Sequence, residues 1–352
     1  LIGFVLIVDK IRKEANQTLN YFAEQGVDIK IISGDNPITV SKIAKAVGVI
    51  NYDNYIDMST LKTDEEIEKV VTKYTIFGRV TPTQKKALVL ALQKNGKTVA
   101  MTGDGVNDVL ALKTADCSIA MASGSDATKN VSQLVLLDSN FASMPKVVAE
   151  GRRTINNIER SASLFLIKTI YSSILAILFL FMAENYPFIP IQLSLISMVT
   201  IGIPSFLLAL EPNNERIKGN FLRNVISKAV PPALTSILNI IIITILNKNG
   251  IISNDIYSSL CVISTGIVGI CFLFTIAKSR KSEHKKLPFS KFRLVLSIAM
   301  FVFFFFCLTY FKWWFSIVPL DTIKLETLVT SIVAITNFIV LNLIFKKILK
   351  NN

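Results

Sequence analysis

Up to about residue 155, the chain alternates short apolar runs with longer stretches that mix apolar and charged positions. The apolar runs predict strands at 29–32, 75–77, 99–101, 118–121 and 134–137, because they are short and bounded by polar residues or glycine. Two intervening stretches predict helices. Asn36-Pro37 opens the one that ends near Gly48, and Thr83 begins the one that ends at about Lys94. Strands that alternate with helices predict a parallel, doubly wound α/β sheet.

Beyond residue 155 the pattern changes to six long apolar blocks joined by short polar segments. The blocks run at about 161–183, 189–210, 226–247, 256–277, 293–312 and 325–346. A helix needs about 20 apolar residues to cross a bilayer, and each block is long enough. Six such helices exceed the core of one soluble domain. The pattern therefore predicts an α/β domain at 1–150 and an all-α membrane domain at 151–352.

Composition supports the membrane assignment, since 51% of the residues are hydrophobic and the mean hydropathy is +0.51. The net charge of +13 would suit a nucleic-acid partner. The lysines and arginines lie largely between the apolar blocks, however, so we expect no nucleic-acid partner. The joints at about 212–225 and 278–293 and the C-terminal tail are basic, whereas those at 184–187 and 247–255 are poorer in lysine and arginine. This alternation predicts a multi-pass protein of the cell membrane whose N-terminal domain and C-terminus are cytoplasmic.

The heptad Thr102-Gly103-Asp104-Gly105-Val106-Asn107-Asp108 directly follows the apolar run at 98–101. Its two glycines let the backbone turn tightly and approach a ligand. Its two aspartates supply the hard oxygen ligands that Mg²⁺ prefers, with waters and phosphate completing the coordination. Two more polar loops, Ser33-Gly34-Asp35 and 79–85, also follow predicted strands. The carboxyl ends of parallel strands meet at one edge of a sheet, so these loops predict a single phosphate and metal site.

The heptad resembles the T-G-D-G-x-N-D signature of P-type ATPases, the cation pumps that pass through an aspartyl-phosphate. Four other segments resemble motifs of that family: 32–36 its [ST]-G-D element, 77–85 its F-x-R-x-x-P-x-x-K element, 9–12 its D-x-x-R hinge, and 150–157 its E-G-R-x-x-x-N-N run. The resemblance covers essentially the whole chain, from late in the phosphorylation domain through the last six membrane helices. It implies a haloacid-dehalogenase-like α/β domain with ATP and Mg²⁺ as its ligands.

The resemblance also implies roles for individual residues. Asp104 is expected to bind Mg²⁺, with Asp108 as a second ligand or its support. Lys85 and Asn107 are expected to contact the phosphoryl oxygens, which Ser33 and Gly34 would cradle. The expected nucleotide-side residues are Asp35, Arg79, Gly103 and Gly105. Asp35 is expected either to contact the nucleotide or to orient its loop.

In the membrane domain, the family holds its ion near the bilayer midplane between helices. Polar residues there are costly, which makes Thr169, Ser172, Ser197 and Thr200 candidates for an ion path, with packing between helices as the alternative. Gly202-Ile203-Pro204 can break its helix and free carbonyls for an ion. The turn lacks the aspartate of animal calcium pumps and resembles a bacterial subgroup with an apolar turn. The resemblance therefore implies a divalent cation, calcium first, and Lys168 is expected to act as an internal countercharge or to reach an interface.

The acceptor motif D-K-T-G-T is absent from this sequence, and so is the actuator motif T-G-E. Asp9-Lys10-Ile11 does not match the acceptor motif and belongs instead to the hinge-like segment. We therefore expect the isolated chain to be inactive, as a truncated gene, a gene fragment or one piece of a split pump. Two alternatives stay open: a non-catalytic membrane partner of a separately encoded N-terminal half, and a membrane-anchored haloacid-dehalogenase phosphatase. The phosphatase would need a D-x-D motif, which is absent here.

Overall fold

The computed structural model of the protein describes residues 11–182, 184–217, 219–278 and 290–351. The chain folds into two compact units, Leu1–Ala149 and Glu150–Asn352. Asp9 and Lys10 of the hinge-like segment lie outside the described residues.

Helices and strands alternate along the first unit, as its hydrophobic pattern predicts. The elements are α1 (Ala15–Glu24), β1 (Ile31–Ile32), α2 (Pro37–Ala46), β2 (Tyr55–Asp57), α3 (Asp64–Val70), β3 (Ile76–Gly78), α4 (Pro82–Lys94), β4 (Ala100–Gly103), α5 (Val109–Thr114), β5 (Cys117–Met121), α6 (Asp126–Val131) and β6 (Leu134–Leu136). The predicted start of α2 is confirmed, because Asn36 is its N-cap and accepts a hydrogen bond from the Ile38 N–H. A capping box between Thr81 and Gln84 opens α4.

The strand pairs that the structure describes in the first unit are all parallel, which confirms the predicted parallel α/β fold. Within the described residues the strands form two three-stranded sheets, in the orders β1-β3-β2 and β4-β5-β6, and not one continuous sheet. Helix α4 joins the cores of both sheets. Its fully buried Leu88 shares a cluster with Phe77 of β3, and the adjacent Val89 shares one with Met101 of β4.

The second unit is helical, and its elements are α7 (Met144–Met182, which begins in the first unit), α8 (Pro190–Ser197), α9 (Ile203–Ala209), α10 (Phe221–Lys248), α11 (Asn254–Ala277), α12 (Lys291–Tyr310) and α13 (Lys324–Asn351). Among the described residues, six helical segments are long and apolar enough to span a membrane, which confirms the six predicted helices. Helix α11 is central and α13 peripheral, because 72% of the apolar window of α11 is buried against 11% for α13.

The second candidate span changes its helical geometry midway. A π-helical turn, Met198–Gly202, joins α8 to α9, and the Ile203 N–H donates to the Met198 carbonyl. Gly202-Ile203-Pro204 therefore widens the helix and does not break it. Pro204 has no N–H to donate to the carbonyl of Thr200, four residues earlier. Single π-helical turns often occur at functional sites.

Candidate functional site

Three polar loops follow the carboxyl ends of β1, β3 and β4 in the first unit. Parallel pairing of Ile31 with Ile76 and of Ile32 with Phe77 places the ends of β1 and β3 side by side. The Ser33 N–H donates to the Phe77 carbonyl at 3.0 Å, and the Val80 N–H donates to the Ser33 carbonyl at 3.0 Å. The main chain thus fixes the Ser33 loop against the segment that leads into α4.

Lys85 and Asp108 form an ion pair at the edge of this site. Lys85 lies in the first turn of α4, and Asp108 ends a short 3₁₀ turn after β4. The Lys85 Nζ lies 2.6 Å from the Asp108 Oδ1, and the two side chains are only 13% and 10% exposed. The other carboxylate oxygen of Asp108 accepts the Gly105 N–H at 3.3 Å. Breaking such a pair by removing one partner typically costs about 3–5 kcal/mol, because the other charge is left buried.

Gly103 is required by this arrangement on steric grounds. A Cβ added at Gly103 would lie 2.6 Å from the Asp108 Cβ, inside any real contact distance. A Cβ at Gly105 would come no closer than 3.8 Å to Asp108, and the φ of Gly105 is −99°. Gly105 therefore leaves open space in front of the loop, while Gly103 permits the close approach of Asp108.

Asp104 has a different environment from Asp108. Its carbonyl accepts the Ser125 N–H at 2.9 Å and the Thr128 hydroxyl at 3.5 Å, so its backbone is fixed. Its side chain is exposed, and among the described residues no hydrogen bond or ion pair reaches its carboxylate. Asn107 is exposed in the same turn. The loop thus presents the unpaired carboxylate of Asp104 and the amide of Asn107. Both lie in the same turn as Asp108, whose charge is neutralised by Lys85.

The hydroxyl of Ser33 is bound within its own loop. The Ser33 Oγ donates to the Asp35 Oδ2 at 3.0 Å and accepts the Asp35 N–H at 3.1 Å. Asp35 also accepts the Arg79 N–H on its carbonyl at 2.8 Å. Of the two roles expected for Asp35, this geometry supports orientation of the loop. Gly34 has no heavy atom within 4 Å of an added Cβ, so its face of the loop is open.

Arg79 has a partner that the sequence did not indicate. The Arg79 Nη1 lies 2.8 Å from the Asp57 Oδ2, while the arginine side chain is 51% exposed. Arg79 has a φ of +52°, an unusual backbone for a residue with a side chain. Hydrogen bonds from Ser59, together with Arg79, hold the pKa of Asp57 below its usual value. The available signal was the Asp57-Met58-Ser59 turn, in which the aspartate caps the residues that follow it.

The donor set fits a magnesium ion that is completed by other ligands. Among the described residues no group of three or more His, Cys, Asp and Glu side chains could hold a metal. Mg²⁺ is usually held by one or two carboxylates plus waters and phosphate oxygens, and the unpaired Asp104 meets that need. Asp108 is paired with Lys85, so it is better placed to support the metal site than to act as a direct ligand of Mg²⁺ in place of a water.

The four candidate ion-path residues are not all brought together in the helical unit. Lys168 of α7 reaches across to α8, where its Nζ donates to the Ser197 Oγ at 2.7 Å. Thr200 and Lys168 line a narrow cavity of about 10 Å³. Thr169 and Ser172 do not line it, and their hydroxyls bond carbonyls of their own helix at 3.2 and 3.4 Å. The structure thus brings together Lys168, Ser197 and Thr200.

The same cavity is also lined by residues that sequence patterns did not indicate. They are Ser236, Thr265 and Gly269, and Tyr171, a polar residue of the first apolar block, lines the cavity as well. The buried Tyr171 hydroxyl has no hydrogen-bond partner among the described residues. Ser236 and Thr265 lie on α10 and α11, so only the packing of these helices shows that they belong here.

Comparisons with known proteins agree with this fold. Residues 1–116 match the family model of haloacid dehalogenase-like hydrolases, so the first unit carries a haloacid dehalogenase-like domain. The chain is 41% identical to the probable cation-transporting ATPase exp7 of Streptococcus pneumoniae, over 84% of this chain and 38% of the relative. It is 48% identical to the calcium-transporting ATPase CtpE of Mycobacterium tuberculosis, over 65% of this chain and 30% of the relative. A calcium-transporting ATPase of Bacillus subtilis is 34% identical, over 60% of this chain and 24% of the relative.

The chain is therefore homologous to cation-transporting P-type ATPases over the C-terminal part of the pump. It spans about 38% and 30% of the length of the first two relatives named above. The combination of a haloacid dehalogenase-like domain with six apolar helices is the combination that the sequence motifs imply.

Proposed function

We propose that this chain forms the magnesium- and phosphate-binding part of an ATP-driven P-type cation pump, together with its last six membrane helices. The observation that carries the proposal is the Lys85–Asp108 ion pair beside the unpaired carboxylate of Asp104. A phosphoryl-transfer site needs a metal ligand, a cation for the phosphoryl oxygens and donors around them. Three loops of this chain carry those groups.

Each residue of the site has a task in this proposal. Asp104 holds a Mg²⁺ ion, which when bound neutralises phosphate charge. Lys85 keeps its bond to Asp108 and donates another of its three N–H groups to the phosphoryl oxygens, and Asn107 donates its amide to them. Ser33 exchanges its bond to Asp35 for one to the phosphoryl group, and the Gly34 N–H adds another donor. The exposed Arg79 side chain is available to the nucleotide, as is the open face of Gly105, while Gly103 lets Asp108 pack against the loop.

The acceptor aspartate would enter on a strand between the two sheets. Within the described residues, β1 and β4 are edge strands, and each ends in a loop of the site. A parallel strand that paired with both edges would end between Ser33 and Asp104. An aspartate there would attack the γ-phosphorus of ATP, and ADP would leave as the P–O bond to it breaks. Added strands of this kind bind through main-chain hydrogen bonds.

For the transported species we propose a divalent cation, with calcium first. The mycobacterial and Bacillus relatives are described as calcium-transporting, which supports this choice. The cluster of Lys168, Ser197 and Thr200 next to the π-helical turn marks the ion path on this chain. Because the cluster contains no carboxylate, helices outside this chain would supply most of the selectivity. Lys168 then acts as an internal countercharge.

Phosphoenzyme formation tests the proposal. The chain is made alone and also fused to the N-terminal portion of the mycobacterial relative, and both are incubated with γ-labelled ATP. We expect no acid-stable label on the chain alone and clear label on the fusion. Lys85→Ala should remove the label, while Lys86→Ala, which changes an exposed lysine of the same helix, should not. An unlabelled fusion that folds, or Lys85→Ala with full labelling, contradicts the proposal.

The same preparations separate the two alternatives. If the N-terminal portion restores labelling as a second chain as well as in the fusion, the protein works as one piece of a split pump. If the chain alone hydrolyses p-nitrophenyl phosphate and Asp104→Asn abolishes this activity, it is a membrane-anchored phosphatase.

A further inference from the structure

A buried charge cluster with one excess positive charge lies within the helical unit. The Glu211 carboxylate accepts the Arg160 Nη1 at 2.8 Å and the Arg293 Nε at 2.9 and 2.6 Å. The Ser290 hydroxyl donates to it at 3.0 Å. Arg160, Glu211 and Arg293 are 8%, 9% and 6% exposed. One carboxylate therefore faces two buried guanidinium groups. A buried charge without a counterion is costly.

The described lining of the neighbouring cavity also carries an excess of positive charge. Glu159 pairs with Lys228 and accepts the Asn224 amide at 3.1 Å, so that pair is neutral. Glu215 lines the cavity and attracts Arg160, whereas Lys278 is exposed. Among the described residues of this region the cations are Arg160, Lys228, Lys278 and Arg293, and the carboxylates are Glu159, Glu211 and Glu215. Within this set one positive charge is in excess.

All of these charged residues except Glu211 line a cavity of about 210 Å³, which has a charged wall and an apolar wall. The apolar wall comes from Phe272 and Ile276 near the end of α11. Arg160 lines the cavity, and its Nε and Nη2 make no hydrogen bond to the described residues. Neither atom is sealed from solvent. The arginine thus keeps donors for a group inside the cavity.

The position of the cavity indicates the kind of anion. It lies where α11 ends and α12 begins, beside the basic joint at 212–225 and near the start of α10. Arginine and lysine at the end of membrane helices bind lipid headgroups, and an arginine fork matches the geometry of a phosphate. The cavity therefore combines hydrogen-bond donors for a phosphate with an apolar wall, and it lies at the end of the helices.

We propose that this cavity binds the phosphate group of an anionic phospholipid, held by Arg160, Arg293 and Lys278. The headgroup phosphate neutralises the excess positive charge of the cavity lining. One acyl chain of the lipid then lies along Phe272 and Ile276. Inorganic phosphate could supply the same anion without the apolar contact, so the two sources must be separated by experiment.

The test uses the full chain, extracted in dodecyl maltoside and stripped of lipid by gel filtration. Dioleoyl-phosphatidylglycerol, dioleoyl-phosphatidylcholine or inorganic phosphate is added, and lipid retention and the thermal midpoint are measured. We expect phosphatidylglycerol to be retained and to raise the midpoint, with little effect of the other two. Arg160→Gln should weaken phosphatidylglycerol retention roughly tenfold, as expected for one lost charge-assisted contact. The control Lys248→Gln changes an exposed lysine that pairs with Glu184 outside the cavity, and it should bind as the parent does.

Lys278→Gln keeps the proposal testable if Arg160→Gln fails to fold, because Lys278 is exposed and does not bond the buried Glu211 carboxylate. It should also weaken phosphatidylglycerol retention. Equal retention of both lipids, or parent-like retention by a folded Arg160→Gln or Lys278→Gln variant, overturns the proposal. Stabilisation by inorganic phosphate alone, equal to that by the lipid, overturns the lipid assignment.

Discussion

The Lys85 ammonium and the Asp108 carboxylate lie 2.6 Å apart, although they follow strands of different sheets and are separated by 23 positions in the sequence. The pair joins α4 to the loop that carries Asp104. It therefore links two of the three loops of the site directly. Lys85 therefore has a structural role in this pair as well as its proposed chemical role. Substitutions must separate the two roles.

The ion pair should stabilise the first unit. We expect Lys85→Ala to lower the free energy of opening around β4 and α5 by about 3 kcal/mol, because Asp108 is left buried without its cation. Hydrogen–deuterium exchange of peptides from 100–116 measures this change. Lys86→Ala should change it by less than about 0.5 kcal/mol, as for an exposed site. Adding Asp108→Ala to Lys85→Ala should recover part of the loss, and strictly additive losses would show that the pair is not coupled.

The two glycines of the heptad should differ sharply. Gly103→Ala places a Cβ 2.6 Å from that of Asp108, so we expect a loss of about 1–3 kcal/mol from overpacking. Gly105→Ala meets nothing closer than 3.8 Å and should be nearly neutral. The same exchange measurement on 100–116 compares the two. Equal losses in both variants would argue against the close packing of Asp108 on Gly103.

The contact between Lys168 and Ser197 should affect the ion response of the pump. In the fusion that carries the N-terminal portion of a relative, Ser197→Ala leaves the Lys168 ammonium without its hydroxyl acceptor. We expect phosphorylation by ATP to keep its maximum but to need at least severalfold more Ca²⁺. Ser194→Ala is the matched control, because Ser194 is exposed on the same helix and bonds only the Pro190 carbonyl. An unchanged Ca²⁺ dependence in Ser197→Ala excludes this contact from the ion path.

Cysteine labelling tests the orientation of the helices. In a cysteine-free background, Asn214→Cys marks the basic joint at 212–225 and Asn249→Cys marks a joint poorer in lysine and arginine. We expect a membrane-impermeant maleimide to label Asn249→Cys in intact cells and Asn214→Cys only in inverted vesicles. The reverse pattern would place the first unit outside the cell. Much of the other basic joint, at 278–293, lies outside the described residues.

Local sequence signals predicted the elements that carry strong caps or long apolar runs. Asn36-Pro37 correctly predicted the start of α2, whereas α4 begins at Pro82, one residue before the predicted Thr83, because Thr81 and Gln84 form a capping box. Strand β2 was not predicted, because Tyr55–Asp57 has only three residues and lacks a clear apolar pattern. Helix α7 begins at Met144 and not near residue 161, since its polar first part is helical too. Hydrophobic periodicity identifies elements that have one buried face, and a three-residue edge strand is too short to show it.

Contacts between residues that are far apart in the sequence could mostly not be predicted from it. The motifs predicted that Lys85, Asp104 and Asp108 share one site, because they follow neighbouring strand ends. The pairing of Arg79 with Asp57 depends on β2 and could not be foreseen. The arginines on Glu211 come from 51 and 82 positions away, so only helix packing reveals them. The division into two sheets also depends on which strands pair, and not on where strands occur.

The most direct test of the central claim is the phosphorylation level of Asp104→Asn in the restored pump. We expect the variant to lose at least roughly a thousandfold in the rate of phosphoenzyme formation from ATP, because metal-borne stabilisation of the phosphoryl charge is removed. Asp53→Asn, which changes an exposed aspartate elsewhere in the same unit, should label at the parent rate. If Asp104→Asn is phosphorylated at nearly the parent rate, the loop after β4 is a structural turn and the proposed site is wrong.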